Sequence, residues 1–295
     1  SEATKSLADS FGADFIEIKG DDLLKQNYPL IYTVGKASVD EPRLLKLRWG
    51  DDSNPLLGLV GKGVCFDSGG LDLKSAAGMR WMKKDMGGAA HVLGLASFIM
   101  ANKLPVCLEV LIPAVENAVS GNAFRPGDVI VARNGKSVEI DNTDAEGRLV
   151  MADALAELSE KKPDLLIDFA TLTGAARVAV GTEVAAFFSN NDTTSHNLYK
   201  AAKRVEDDIW RLPIHHAYFD HIKSTIADVV NCSSGGYGGA ITAALFLNEF
   251  VEKKCDWLHF DMMAYNMRSR PGRPKGGEAM GLRGVCEFLT ARYSN

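Results

Sequence analysis

GRLVMADALAEL (residues 147–158) and LLIDFA (residues 165–170) together predict the fold class. The first stretch places apolar residues at helical spacing, namely Leu149, Ala152, Leu155 and Leu158. The second is a nearly continuous apolar run, which is typical of a strand covered on both faces. A helix feeding such a strand predicts an α/β fold: a three-layer α/β/α domain with a central mixed, mostly parallel sheet.

Strand-like and helix-like runs alternate along the rest of the chain. Strands are predicted at 13–18, 43–49, 56–66, 105–113, 127–132, 136–141, 164–170, 183–188 and 257–263. Helices are predicted at 3–11, 87–102, 147–161, 193–206, 240–253 and 278–291. Asn134-Gly135 predicts a hairpin and therefore an antiparallel strand pair. Without a linker or repeat, we expect one domain over residues 1–295.

Composition is that of an ordinary soluble protein. The net charge of -5 gives no global field that would attract nucleic acid or membrane. The five cysteines are an odd, widely spaced set, which indicates reduced thiols in a cytoplasmic protein. No apolar run approaches the ~20 residues of a membrane span, so no membrane partner is expected.

The run from Asn142 to Leu149 carries Asp144, Glu146 and Arg148 at alternate positions. In an extended segment these three side chains would point the same way. The two acids would then be suited to bind cations, and the arginine would be suited to bind an anionic or polarised group. The alternative is a polar loop that caps the following helix.

Two further segments carry candidate metal ligands. Lys62 lies in an apolar strand-like run, where an amine is costly unless it is paired, neutral or metal-bound. A bend at the neighbouring glycines could bring Lys62 and Asp67 together; the alternative is a strand-end lysine and a plain turn. Asp85 directly precedes a predicted helix. It is either a carboxylate of the site or the N-cap of that helix.

Motifs of other enzyme classes do not occur. The six histidines form no His-Glu-x-x-His spacing, and the sequence has neither a Gly-x-Ser-x-Gly elbow nor a phosphate-binding Gly-x-x-x-x-Gly-Lys-Ser/Thr loop. Serine hydrolase and nucleotide-binding functions are therefore disfavoured.

Taken together, the segments 61–70, 85–90 and 142–149 resemble those of the leucyl aminopeptidase (cytosol aminopeptidase) family of two-metal metallopeptidases, in the same order and spacing. Residues 120–128 and 170–175 are similar as well, so the resemblance covers the chain from about residue 28 onward. It implies that residues 1–295 are the catalytic domain, without the N-terminal domain that family members usually carry.

The resemblance also implies roles for individual residues. Two divalent ions (Zn²⁺ and/or Mn²⁺, possibly Mg²⁺) would be bound by five ligands: Lys62, Asp67, Asp85, Asp144 and Glu146. The catalytic positions would be Lys74 and Arg148, with Arg148 holding a bicarbonate ion that relays the proton. The pocket for the first side chain of the substrate would contain Met82, Thr171, Leu172 and Gly174, with Met263 as a less certain addition.

The function implied is an aminopeptidase that acts on peptides with Leu- or Met-like N-terminal residues, assembled as a homohexamer. Two alternatives remain open at the level of sequence. One is a dipeptidase of narrow specificity, and the other is a catalytically silent scaffold or nucleic-acid-binding relative, which the acidic charge and the complete residue set disfavour.

Overall fold

A computed structural model describes residues 1–294 of the chain. Its α-helices are α1 Glu2–Phe11, α2 Asp22–Lys25, α3 Pro29–Gly35, α4 Ala76–Met79, α5 Gly87–Ala101, α6 Glu146–Glu160, α7 Gly174–Val180, α8 Asp192–Arg204, α9 Gly239–Asn248 and α10 Leu282–Tyr293. Its strands are β1 Asp14–Lys19, β2 Arg43–Trp49, β3 Leu56–Gly61, β4 Gly63–Asp67, β5 Cys107–Asn117, β6 Val129–Val131, β7 Ser137–Glu139, β8 Leu165–Ala170, β9 Ala185–Ser189, β10 Ile209–Arg211, β11 Val229–Val230, β12 Trp257–Asp261, β13 Tyr265–Asn266 and β14 Gly276–Gly277. Two 3-10 turns cover Met82–Lys84 and His216–Ile222.

The central sheet has nine strands in the order β1-β2-β5-β3-β8-β12-β9-β10, with β4 added alongside β5. Its middle strands β5, β3, β8 and β12 are mutually parallel, whereas β1, β2 and the β12–β9 pair are antiparallel. The mixed, mostly parallel sheet expected from the sequence is therefore confirmed. The β6–β7 hairpin around Asn134-Gly135 is confirmed too.

Two apolar cores sandwich this sheet. One contains Leu57 and Leu59 with residues of α5, α8 and α10, and the other contains Val60 with residues of α6 and α9. Because neighbouring strand residues point to opposite faces, a strand such as β3 must be apolar throughout. This explains why the central strands read as continuous apolar runs and confirms the three layers.

The predicted strand 56–66 is divided in the structure. It breaks at Lys62 into β3, which pairs with β5 and β8, and β4, which pairs with β5 alone across a bulge between Val64 and Phe66. The bend proposed at the glycines therefore exists. The sequence patterns missed the short elements α3, α7 and β10, whose three to seven residues are too few for periodicity to mark.

The parallel strands all end at one edge of the sheet. Lys62 follows β3, Asp67 ends β4, Asn117 ends β5, Thr171 follows β8 and Asp261 ends β12. Ligands of open α/β sheets bind beyond the carboxyl ends of the strands. The fold thus gathers polar residues from distant parts of the chain at the edge where a site is expected.

Candidate metal centre

A cavity of about 390 Å³ opens at this edge of the sheet. All eleven site residues predicted from the sequence line it, namely Lys62, Asp67, Lys74, Met82, Asp85, Asp144, Glu146, Arg148, Thr171, Leu172 and Gly174. Met263 does not; it is buried in the apolar core on the α5 side. The structure therefore brings the predicted set together, apart from the less certain addition.

Three carboxylates form the centre of the cavity wall. Asp67, Asp144 and Glu146 each place one oxygen within 4.8 Å of the other two, an arrangement that could hold a metal ion. Glu146 is only 1% exposed, and burial together with the nearby Asp67 raises the pKa of its carboxyl to about 8. Without a cation the cluster resists full ionisation, because buried like charges repel.

Two lysines supply positive charge to these acids. Lys62 Nζ lies 2.7 Å from Asp85 Oδ2 and 2.9 Å from Glu146 Oε1. Lys74 Nζ lies 2.9 Å from Asp67 Oδ2 and also contacts Asp144. Burial disfavours the Lys62 ammonium, but Asp85, Glu146 and Asp67 outweigh it and raise its pKa. A metal bound through the Lys62 amine would therefore have to displace a firmly held proton.

The acid oxygens at the centre lack directed hydrogen bonds. Asp85 Oδ2, Asp144 Oδ1 and Glu146 Oε1 are buried and accept no hydrogen bond from any residue between 1 and 294, although each lies close to a lysine amine. Buried polar atoms are usually satisfied, so such exceptions need an explanation. Hard oxygen donors that lie beside one another with lysine amines as their charged partners fit a divalent cation. The residues therefore fit a metal centre.

Hydrogen bonds outside the cluster fix the loops that carry the acids. Asn117 donates from Nδ2 to Asp67 Oδ1 at 2.9 Å and to the Thr143 carbonyl at 3.1 Å. The Thr143 backbone N–H donates to Asp72 Oδ2 at 2.7 Å. Asn231 holds the other side, because its Nδ2 donates to the Asn142 carbonyl at 2.7 Å. These hydrogen bonds hold the carboxylates in position, an arrangement that is usual around metal sites.

Two glycines allow close approach between elements at the site. A Cβ on Gly147 would lie 2.6 Å from Lys62 Nζ, so only glycine lets the lysine lie against α6. A Cβ on Gly88 would lie 2.0 Å from the Phe169 carbonyl oxygen and 2.7 Å from the Lys62 backbone nitrogen. The start of α5 can therefore pack directly on the ends of β3 and β8.

Two local expectations from the sequence are wrong. The run from Asp144 to Arg148 is not extended, since α6 begins at Glu146 and places Arg148 in its first turn. Asp85 does not cap α5, whose N-cap is Met86. Instead its Oδ1 accepts a 2.7 Å hydrogen bond from Thr171 Oγ1. Tertiary contacts rather than local pattern decided both positions.

Arg148 is buried without a carboxylate partner. It is 8% exposed, and within residues 1–294 no acid lies within the 4.0 Å of an ion pair from its guanidinium. Its Nε also lacks a hydrogen bond. Burial lowers the pKa of this guanidinium, although it stays far above neutral. A buried cation of this kind on a cavity wall suits a bound anion.

Several cavity residues escaped the sequence-based assignment, above all Lys84 and Arg177. Lys84 sits in a Lys-Lys-Asp run in which only Asp85 was singled out, and burial lowers the pKa of Lys84 to about 8. Arg177 lies in α7, which the sequence patterns did not predict. Asn117 and Asn231 were missed because single asparagines in loops carry no distinguishing pattern.

Comparison with known proteins agrees with this geometry. The profile of the cytosol aminopeptidase family, catalytic domain, matches residues 1–286. The chain belongs to the cytosol aminopeptidase family. It is 43% identical over 299 residues to a probable cytosol aminopeptidase of Aquifex aeolicus, covering all of this chain and 60% of that protein. It is 44% identical to peptidase B of Cronobacter sakazakii, covering 92% of this chain and 65% of that protein.

Solved structures of the family show the same fold. The 1.8 Å crystal structure of a cytosol aminopeptidase from Coxiella burnetii matches with a TM-score of 0.97 and 52% identity, over 99% of this chain and 64% of that chain. The bottromycin maturation enzyme BotP in complex with Mn matches with a TM-score of 0.93 and 37% identity, over 99% of this chain and 65% of that one. The present chain thus spans about three-fifths of the length of these family members. None of its helices over residues 1–294 is both long and apolar enough to cross a membrane.

Proposed function

We propose that this chain is a two-metal aminopeptidase, of the leucyl aminopeptidase type, that hydrolyses the N-terminal peptide bond of peptides. The observation that carries the proposal is the cluster of buried carboxylates whose oxygens have no directed hydrogen bond. Family membership and the likeness to a manganese-bound relative support it.

The five ligands of the proposed ions would be Lys62, Asp67, Asp85, Asp144 and Glu146. Their mostly oxygen donors suit Zn²⁺, Mn²⁺ or Mg²⁺. Such a pair of ions supplies a Lewis acid for the scissile carbonyl and a water of lowered pKa. Because the pKa of Lys62 is raised in the metal-free site, we expect loading to release a proton and to weaken at low pH.

Two cationic side chains of the protein, Lys74 and Arg148, would have the remaining catalytic roles. Burial opposes the Lys74 ammonium, but Asp67 and Asp144 outweigh it and raise its pKa, so Lys74 is protonated and suited to stabilise an oxyanion. Arg148, with its unpartnered Nε, would hold bicarbonate through a planar fork that matches an oxyanion. The chemistry that bicarbonate would supply at Arg148 is proton relay.

Substrate side chains would enter beside Met82, Thr171, Leu172 and Gly174. Met82 and Leu172 offer apolar contact in this pocket, which supports a preference for Leu- and Met-like residues. The free α-amine of the substrate would ligate a metal, which would restrict cleavage to the N-terminus. We further propose a cytoplasmic homohexamer.

The test is hydrolysis of leucine p-nitroanilide and Leu-Gly after loading with Mn²⁺ or Zn²⁺, with and without bicarbonate. We expect turnover that chelation abolishes and metal restores. Calorimetric titration of the metal-free protein in two buffers of different ionisation enthalpy should show proton release on loading. A loaded protein that leaves both substrates intact would refute the proposal.

A further inference from the structure

The same cavity holds more positive charge than the proposed chemistry uses. Its ionisable lining consists of four acids and five cations, the acids being the proposed ligands Asp67, Asp85, Asp144 and Glu146. Two divalent ions would neutralise the four acids, and Lys62 would be a neutral ligand. Four cations then remain: Lys74, Lys84, Arg148 and Arg177.

Two of these four have a place in the proposed function. Lys74 would meet the oxyanion and Arg148 the proton-relaying anion. Lys84 and Arg177 have no such role, although uncompensated buried charge is costly. Their presence together in one wall therefore calls for a separate anionic partner.

Lys84 is buried without a hydrogen bond to its amine. Its side chain is 2% exposed, and among residues 1–294 the one carboxylate oxygen within 4.0 Å of its amine is Asp85 Oδ1, at 3.6 Å, which is too long for a hydrogen bond. That oxygen already accepts the 2.7 Å bond from Thr171 Oγ1. Asp85 therefore does not satisfy the Lys84 ammonium.

Arg177 reaches the same wall from the first turns of α7. Its Nη1 is buried without a hydrogen-bond partner, and no carboxylate of residues 1–294 forms an ion pair with it. The guanidinium is close enough to Lys84 to disfavour the lysine's charge. Two cations that line one cavity, neither of them hydrogen-bonded to a carboxylate of residues 1–294, form an anion-binding arrangement.

Asp261 is the other acid that faces this wall, and its oxygens are already engaged. Its Oδ1 accepts hydrogen bonds from the backbone N–H groups of Leu172 at 3.0 Å and Thr173 at 2.9 Å, and its Oδ2 accepts one from the Thr173 hydroxyl at 2.5 Å. These bonds fix the turn that begins α7. Asp261 thus positions Arg177's helix, and within residues 1–294 it forms no ion pair with Lys84 or Arg177.

We infer that Lys84 and Arg177 are specificity residues that bind the side-chain carboxylate of an acidic N-terminal residue, glutamate above all. The inference rests on the proposed function, because it assigns a substrate class to the same pocket. The methylene groups of glutamate would contact Met82 and Leu172, as a leucine side chain would. Its carboxylate would then meet the two cations, which the isosteric glutamine cannot neutralise.

The test compares substrates that differ only in this charge. For the metal-loaded protein we expect kcat/KM for glutamyl p-nitroanilide to exceed that for glutaminyl p-nitroanilide by about 10- to 100-fold, the discrimination of a charge-assisted hydrogen bond. Lys84→Met and Arg177→Met should each collapse this ratio towards one. Lys83→Met is the matched control, since it removes an adjacent but exposed lysine and should preserve the ratio.

A second measurement needs no turnover. Calorimetry should show tighter binding of free L-glutamate than of L-glutamine, with the difference lost in Lys84→Met or, if that variant does not fold, in Arg177→Met. A glutamate-to-glutamine ratio near one in the unmodified protein, with leucine p-nitroanilide cleaved, would overturn the inference and leave the proposed function intact. A ratio unchanged by both substitutions would overturn it as well. Failure with every substrate would instead refute the proposed function.

Discussion

Helix α6 carries buried ionisable side chains in two places, at its first turn and near its middle. Glu146 and Arg148 lie at the start, and Asp153 and Glu157 lie further along. The start faces the cavity at the sheet edge. The middle packs against α3 and the neighbouring loop, where it meets polar partners.

The charges in the middle of α6 are satisfied. Asp153 accepts backbone hydrogen bonds from Leu30 at 2.8 Å, Ile31 at 3.3 Å and Arg133 at 2.9 Å. Glu157 accepts a 2.7 Å bond from the Tyr28 hydroxyl and pairs with Lys46. These side chains join α6 to its neighbours and serve the fold.

The charges at the start of α6 have fewer partners within residues 1–294. Glu146 Oε1 lies 2.9 Å from the amine of Lys62, itself a residue of the cavity, and Arg148 Nε has no hydrogen bond. The pKa values of the two glutamates differ, although burial also raises the pKa of Asp153 to about 7. Burial raises the pKa of Glu146 to about 8. Burial would also raise the pKa of Glu157, but the hydrogen bonds from Lys46 and Tyr28 outweigh burial, so the pKa of Glu157 is lowered. Within one helix, buried charge that is bonded to neighbouring parts of the fold marks structure, and buried charge that lines the cavity marks the site.

The largest expected effect is a difference in kcat/KM between variants of the two glutamates, Glu146 and Glu157. Glu146→Gln should lower kcat/KM for leucine p-nitroanilide by more than the ~100-fold that loss of an outer metal-site partner can cost. Glu157→Gln makes the same chemical change eleven residues away and should leave kcat/KM per folded molecule unchanged. Steady-state kinetics and metal analysis of both variants test this; equal losses would remove the distinction.

The next effect separates the proposed metal ligands from Arg148, the proposed anion-binding arginine. Arg148→Ala should lower kcat by about 100-fold, the low end of what a positioned general base contributes. Metal occupancy should stay nearly unchanged, because Arg148 is not among the proposed ligands. Plasma emission analysis after gel filtration gives the occupancy, and lost metal would contradict this division of roles.

Stability should show the reverse ranking. In the metal-free protein, Glu157→Gln should lower the free energy of unfolding by about 2 kcal/mol, since Lys46 and Tyr28 lose a charged partner. Glu146→Gln should not lower it, because it removes a buried carboxylate that repels Asp67. Urea unfolding at pH 7 measures both, and a destabilised Glu146→Gln would be contrary to the expectation.

The smallest effect is a difference in pH dependence of the metal-free protein. The folded-state pKa of Glu146 is raised, so the native state binds the extra proton and Glu146 should cost stability as pH rises from about 4.5 to 8. The folded-state pKa of Glu157 is lowered, so its contribution is present above about 4.5 and is lost as pH falls further. Unfolding curves from pH 3.5 to 8.5, with each variant subtracted from the parent, should give slopes of opposite sign.

The sequence alone determined the layers of the fold. The apolar runs at 56–66 and 165–170 predicted strands covered on both faces, and the spacing of Leu149, Leu155 and Leu158 predicted a helix. Motif order also identified every proposed metal ligand. These features are local in the chain, which is why a pattern reveals them.

Tertiary structure alone decided which charges are satisfied. The residues next to Glu157 in the sequence do not predict its contacts with Tyr28 and Lys46. Likewise, the residues next to Lys84 do not predict that Arg177 of α7 lies near it. The break at Lys62 and the helical start at Glu146 likewise depend on how β3, β8 and α5 meet. Burial and partnership are properties of contacts between distant segments, so a charged residue reveals its role only once the chain has folded around it.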